Sequence, residues 1–133
     1  NFGWPYYEGG SGTSVRNVGY QDLPEAQAFY ASGAAVTASL LGFSHQTDGA
    51  SAIVMGDVYR GTVYPSRYNG NLFFADLFSG VVKAATLDAT GRIAFVDTFA
   101  TGAQYVVQMK QGPDGYLWYV DLDNGTVGRW RLA

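Results

Sequence analysis

Acid–base chemistry in this chain would have to rest on one imidazole, His45, which sits in the polar stretch 44–51 (SHQTDGAS). Read functionally, it is a single general acid or base. Read structurally, it is a hydrogen-bonding loop residue. With one histidine, a His–His metal site and a His–carboxylate–nucleophile set with a spare base are both out of reach. No serine stands in a Gly-x-Ser-x-Gly elbow, so the sequence gives little support for a hydrolase. There is no cysteine, which removes thiolate chemistry and disulfides. Residues 121–125 (DLDNG) place two carboxylates ahead of a glycine in the manner of a calcium loop. They lack a third oxygen ligand before the glycine and a later bidentate Glu. A hairpin turn accounts for Asn124 and Gly125 instead. Arg60 follows an apolar run and precedes Gly61; it is either a cleft cation or one half of a surface ion pair. No phosphate-binding glycine loop and no cluster of metal ligands occurs.

Ligand chemistry is better served than catalysis. Residues 1–20 (NFGWPYYEGGSGTSVRNVGY) are rich in Gly and aromatics and show neither helical nor strand periodicity. Trp4, Tyr6 and Tyr7 there can pack on a neighbouring surface or offer faces on which a sugar could stack. The residues expected on a ligand surface are Trp4, Tyr6, Tyr7, His45, Tyr59, Arg60 and Tyr105, all aromatic or ionisable and at expected strand ends or loops. No catalytic, cofactor-binding or metal-binding residue is assigned, and no cofactor is expected in this chain. A carbohydrate is the ligand class such faces would suit.

The elements that must position these residues are announced by a duplication. Residues 69–88 (NGNLFFADLFSGVVKAATLD) and 114–133 (DGYLWYVDLDNGTVGRWRLA) align without a gap at an offset of 45, with seven identities in twenty. The shared residues are Gly70/Gly115, Leu72/Leu117, Asp76/Asp121, Leu77/Leu122, Gly80/Gly125, Val82/Val127 and Leu87/Leu132. Each copy is a turn, an apolar run, a second Gly-bearing turn and another apolar run, which is a β-hairpin. A hairpin returning at roughly 40–50 residues has the spacing of four-stranded propeller blades. The repeated Asp at the strand end reads as a turn residue that binds backbone rather than as a catalyst.

Composition agrees. The 133 residues are 47% apolar, 16% aromatic and only 14% charged, with 18 glycines; this is a folded chain rich in strands and tight turns, and one domain by length. The net charge of −3 argues against a nucleic-acid partner, which needs a clustered basic surface. Only Arg129 and Arg131 lie close together, on one face of an expected strand. No apolar run reaches the roughly 18 residues a membrane span requires.

Taken in order, residues 1–50 are expected to be irregular, with a short helix that starts at residues 22–25 (DLPE) and stops near Gly33. Asp22 is the expected cap and Pro24 an early helical residue. Residues 35–43 (AVTASLLGF) lean toward a strand. Residues 51–102 give a complete four-stranded blade, with a bulge or kink at Gly56 and Asp57. Residues 103–133 give three strands of a second. The fold class is thus all-β, a partial propeller of one full blade and most of another. A blade and three-quarters cannot close a ring, and open sheet edges need cover. That cover would come from a second copy of the chain, from the remainder of a longer propeller, or from the first 50 residues.

Several stretches together resemble the C-terminal part of the glucose/sorbosone dehydrogenase family, quinoproteins built as six-bladed propellers around pyrroloquinoline quinone (PQQ). They are residues 1–5 (NFGWP) with Glu8 and Gly9, His45 ahead of an Ala-Ile strand, 58–61 (VYRG), and Pro65 through Asn69 and Gly70. Residues 72–76 (LFFAD) with Ser79 and Gly80, 112–115 (GPDG) and 117–121 (LWYVD) complete the set. The resemblance covers nearly the whole chain. It implies a bacterial, secreted or periplasmic setting related to carbohydrate. In that family the catalytic histidine and the calcium ligands belong to earlier blades, and His45 matches a late histidine that is not catalytic. Where the family places cofactor-facing charges, this chain has Tyr105, Gln108 and about Phe78. The resemblance therefore implies a non-catalytic binding or assembly module derived from such a protein. The alternative is the C-terminal portion of a PQQ-dependent aldose dehydrogenase whose catalytic blades lie outside this chain.

Overall fold

A computed structural model describes residues 1–103 and 105–132. The chain forms two compact units, Asn1–Gly49 and the part from Ala50 onward, and each is taken by itself.

The first unit holds one helix, α1 (Pro24–Ala31). Pro24 opens it, because its fixed φ suits a first turn and its missing N–H is not needed there. The cap position is Leu23, not Asp22, and no side chain caps the helix. The helix is instead held from the side. Tyr6 lies 5.3 Å from Phe29 and Tyr7 lies 5.2 Å from Tyr30, ring centre to ring centre. The Tyr30 hydroxyl donates to the Tyr6 carbonyl at 2.6 Å, and the Arg16 guanidinium lies 4.2 Å from the Tyr30 ring centre. A single bridge pairs Tyr7 with Arg16. Residues 35–43 form no strand. Their backbone bonds go singly to separate loops, Thr37 N–H to the Asn1 carbonyl and the Ser39 carbonyl to Gly12 N–H, so no ladder can grow.

The second unit is all-β. Its first sheet contains β1 (Ile53–Val58), β2 (Leu72–Asp76), β3 (Val82–Leu87) and β4 (Ile93–Ala100), antiparallel and in sequence order. Its second contains β5 (Val106–Gln111), β6 (Leu117–Asp121) and β7 (Thr126–Arg129), ordered likewise. These are the four-strand and three-strand blades that the duplication implied. The β2 and β6 strands start and end at aligned positions. The last strand is shorter than its apolar pattern suggests: β7 stops at Arg129, so Arg131 shares no strand face with it. The turns follow their chemistry. Gly70, Gly80, Gly115 and Gly125 all sit at φ between +61° and +81°, a region open to Gly at no steric cost.

The register of β1 on β2 slips between Met55 and Val58, which is the bulge foreseen at Gly56 and Asp57. It sits where the two sheets meet. A Cβ on Gly56 would fall 3.0 Å from the Met109 Cβ and 3.0 Å from the Phe73 carbonyl oxygen. Only a glycine lets β5 approach β1 this closely. The buried cluster joins Tyr59, Tyr64, Tyr68, Phe73, Ala75, Val82, Ala84 and Phe99 to Val106, Met109 and Leu117. It is aromatic-rich, with Phe99 edge-on to both Phe73 and Tyr68 at 4.9 and 5.2 Å.

Candidate functional site

Four of the seven expected ligand-surface residues, Tyr6, Tyr7, Tyr59 and Tyr105, serve structure in evident ways. Tyr6 and Tyr7 are the platform for α1. Tyr59 is fully buried; its hydroxyl accepts the N–H groups of Val63 and Tyr64 at 3.1 and 3.2 Å. It organises the loop after β1 and presents no surface, because an apolar ring flanked by aromatics finds more to bury against inside. Arg60 is exposed, and its backbone N–H donates to Gln111 Oε1 at 2.7 Å. Tyr105 has φ +58°, unusual for a residue with a Cβ. Its N–H donates to the Leu77 carbonyl, its own carbonyl accepts from Leu122 N–H, and its ring meets Phe78 edge-on at 5.7 Å. Trp4 and His45 are open as well. Trp4 is 66% exposed with Tyr20 edge-on at 6.4 Å, and His45 is exposed in a loop. Trp4, Tyr6, Tyr7 and His45 belong to the first unit, and Tyr59, Arg60 and Tyr105 to the second.

The aligned carboxylates behave as turn residues. Asp76 is buried and accepts Ser51 N–H at 2.6 Å, the Ser51 hydroxyl at 2.7 Å, Ser79 N–H at 2.9 Å and Phe78 N–H at 3.0 Å. Burial pushes its carboxyl up, but these four donors outweigh burial and hold it far below the usual carboxylate range. Asp121 accepts Asn124 N–H at 3.0 Å and the Asn124 side-chain amide at 2.7 Å, and these two bonds lower its carboxyl as well. No group of three His, Asp or Glu residues able to hold a metal occurs among the described residues. The positions where the resembled family carries cofactor-facing charges are here the neutral Phe78–Tyr105 ring pair and the exposed Gln108.

Two surfaces stand out. The first is a face of the second sheet. On the first sheet, the cross-strand pairs Phe73↔Ala84 and Ala75↔Val82 form the face that joins the core toward β5. Their counterparts in the duplication are Trp118↔Arg129 and Val120↔Val127, and these are paired in the same register. The four first-sheet residues are fully buried, whereas Val127 is 65% exposed. A dimple of about 110 Å³ lies on this second face between Gln108, Lys110, Trp118, Val120 and Val127. At its end Asp114 accepts the Trp118 indole N–H at 2.9 Å and pairs with Arg129. The indole bond is the main cause of the low Asp114 carboxyl; desolvation opposes it, and Tyr116 N–H and Arg129 add to it. The Arg129 guanidinium lies 4.7 Å from the Tyr116 ring centre.

The second surface is a groove of about 530 Å³ in the first unit, lined by Glu8, Val15, Val18, Phe43, His45 and Asp48 among others. Of these only His45 was expected at a ligand surface. Glu8 and Asp48 are far apart in sequence, and nothing in their neighbourhoods marks them as partners. The open sheet face was likewise missed, although the Val82/Val127 identity carried the signal. No family model, no curated protein and no solved structure matches this chain.

Proposed function

We propose that this chain is a non-catalytic pair of propeller-type blades acting as a binding or assembly module, related to the glucose/sorbosone dehydrogenases. The observation that carries the reading is the repeated face. The first sheet uses Phe73, Ala75, Val82 and Ala84 to receive the second, and the second sheet offers Trp118, Val120, Val127 and Arg129 in the same register. A face that is built like a docking face, and that exposes Val127, is suited to receive another sheet. Burying a Val or Leu side chain stabilises by about 1.5–3 kcal/mol. The partner in this reading is a second copy of the chain or further blades of a longer propeller. The setting is extracytoplasmic, secreted or periplasmic, which rests on the resemblance alone. Among the described residues no helix is long and apolar enough to cross a membrane.

The test is size-exclusion chromatography with light scattering at micromolar concentration. The chain should run as an oligomer, and Val127→Glu should return it to the monomer mass, since a carboxylate would be desolvated at the contact. A strictly monomeric wild type would count against self-assembly.

A second reading, the C-terminal portion of a PQQ-dependent aldose dehydrogenase, is supported by the latch between the sheets. Gln111 N–H donates to Asp57 at 3.0 Å while Gln111 Oε1 accepts from Arg60. Such cross-sheet bonds suit successive blades of a longer ring. The reading frame upstream of Asn1 separates the two, since about 250 further residues of blades would establish the longer ring; dye-linked sugar oxidation with PQQ and calcium tests the non-catalytic reading, which turnover by the isolated chain would overthrow.

A further inference from the structure

The groove in the first unit is a built feature, not a gap between slack loops. Its two walls, residues 8–18 and 39–48, are stapled together. Gly12 N–H donates to the Ser39 carbonyl at 2.8 Å, the Ser39 hydroxyl donates to the Gly10 carbonyl, and Gly42 N–H donates to Ser11 Oγ at 3.0 Å. The backbones touch where the walls meet: a Cβ on Gly42 would fall 2.9 Å from both the Gly10 nitrogen and the Gly10 carbonyl oxygen. The second wall is tied internally, with Ser44 N–H donating to Asp48 Oδ2 at 2.7 Å and the Ser44 Oγ accepting Gln46 and Thr47 N–H.

The lining is two-sided in chemistry. Val15, Val18 and Phe43 give it an apolar side, and Val18 is 80% exposed. Glu8 and Asp48 give it two carboxylates. Glu8 Oε2 accepts the Asn17 amide at 2.9 Å, so each carboxylate is oriented by one neutral donor. Neither is in an ion pair among the described residues, and no Lys or Arg lines the groove. The volume lies within the roughly 300–1,000 Å³ of small-molecule sites. A neutral polyol would leave the aliphatic side unused, and an anion would face two like charges. An ammonium group on an apolar body matches both sides at once, its N–H donors meeting carboxylate oxygens while the body covers Val15, Val18 and Phe43.

We propose that the groove between residues 8–18 and 42–48 is a binding site for a small organic ammonium ion with an apolar body. The site stands apart from the assembly reading and holds whether or not the chain self-associates.

The experiment is an NMR titration of the full chain with three probes: phenethylammonium, the neutral 2-phenylethanol of similar shape, and glucose. Phenethylammonium should shift amides of residues 8–18 and 42–48 in a saturable way. Two exposed ion pairs worth together about 1 kcal/mol predict that the alcohol binds about fivefold more weakly. Glu8→Gln and Asp48→Asn each keep an oxygen for the Asn17 or Ser44 donor, so the walls should stay folded, and the double variant should bind amine and alcohol alike. Equal binding of amine and alcohol to the wild type would overturn the proposal. So would shifts from glucose alone, shifts centred on other residues, or no saturable shift at millimolar amine.

Discussion

At the scale of single residues, Asp76 and Tyr64 show how polar groups are used inside this fold. Asp76 was legible as a turn residue because it recurs as Asp121 at the same strand end. What the sequence did not reveal is that the first copy also takes both donors of Ser51, 25 positions away in the chain. Its carboxyl is depressed in the folded state, so its stabilisation is complete above the unfolded carboxylate value of about 4 and is lost as pH falls below it. Asp76→Asn cannot satisfy all four donors and should cost about 1–3 kcal/mol at neutral pH. Urea unfolding at a series of pH values checks this: the wild type should lose stability from about pH 4 downward, and the variant should lose less over that window. Tyr64 carries a comparable role in a different form. Its hydroxyl accepts Leu117 N–H and donates to the Trp130 carbonyl, both at 2.9 Å, closing the ladder between β6 and the residue after β7. Burial is the main reason its phenol is pushed up. Tyr64→Phe should therefore cost about 1–3 kcal/mol, read by thermal or urea unfolding. Nothing in the local sequence distinguished Tyr64 from the other tyrosines, since its partners lie more than fifty residues away.

At the scale of elements, the parts written in local chemistry were readable and the parts decided by packing were not. The hairpins at residues 69–88 and 114–133 are spelled out by Gly at obligatory positive φ and by apolar runs between turns. The bulge at Gly56 was visible because a glycine interrupts a strand, though its purpose, the approach of Met109, is a tertiary fact. Gly56→Ala should push β5 away from β1 and destabilise by about 1–3 kcal/mol, as small-to-large changes in packed regions do. Denaturant melts should show a lowered midpoint with an unchanged slope. The helix lies where Pro24 and Glu25 indicate, yet the cap position is Leu23, one residue beyond Asp22, and the rings of Tyr6 and Tyr7 hold the helix from the side. Residues 35–43 are apolar enough for a strand but find no strand to pair with, and pairing, not propensity, decides strands. Tyr59 reads as a surface residue in the sequence because it stands at an expected strand end; its ring is instead buried against Tyr64 and Phe73.

At the scale of the whole molecule, the duplication carries more than fold class. It gives a one-to-one map between a docking face already in use and one that is open. The map is not perfect, and the departures are informative. Ala84 is replaced by Arg129, and the small Gly56 edge has the long Lys110 near its counterpart, so an incoming surface must accommodate two cations, one of them already matched by Asp114. This favours a partner with its own carboxylate over a bare apolar sheet. Amide hydrogen exchange across a concentration series, on the wild type and Val127→Glu side by side, tests this most directly. Protection of the amides of Thr126–Arg129, the outermost strand of the second sheet among the described residues, should rise with concentration in the wild type and stay low in the variant. Protection of those amides that does not change with concentration, and is the same in both proteins, would contradict the claim that this face is where the module assembles.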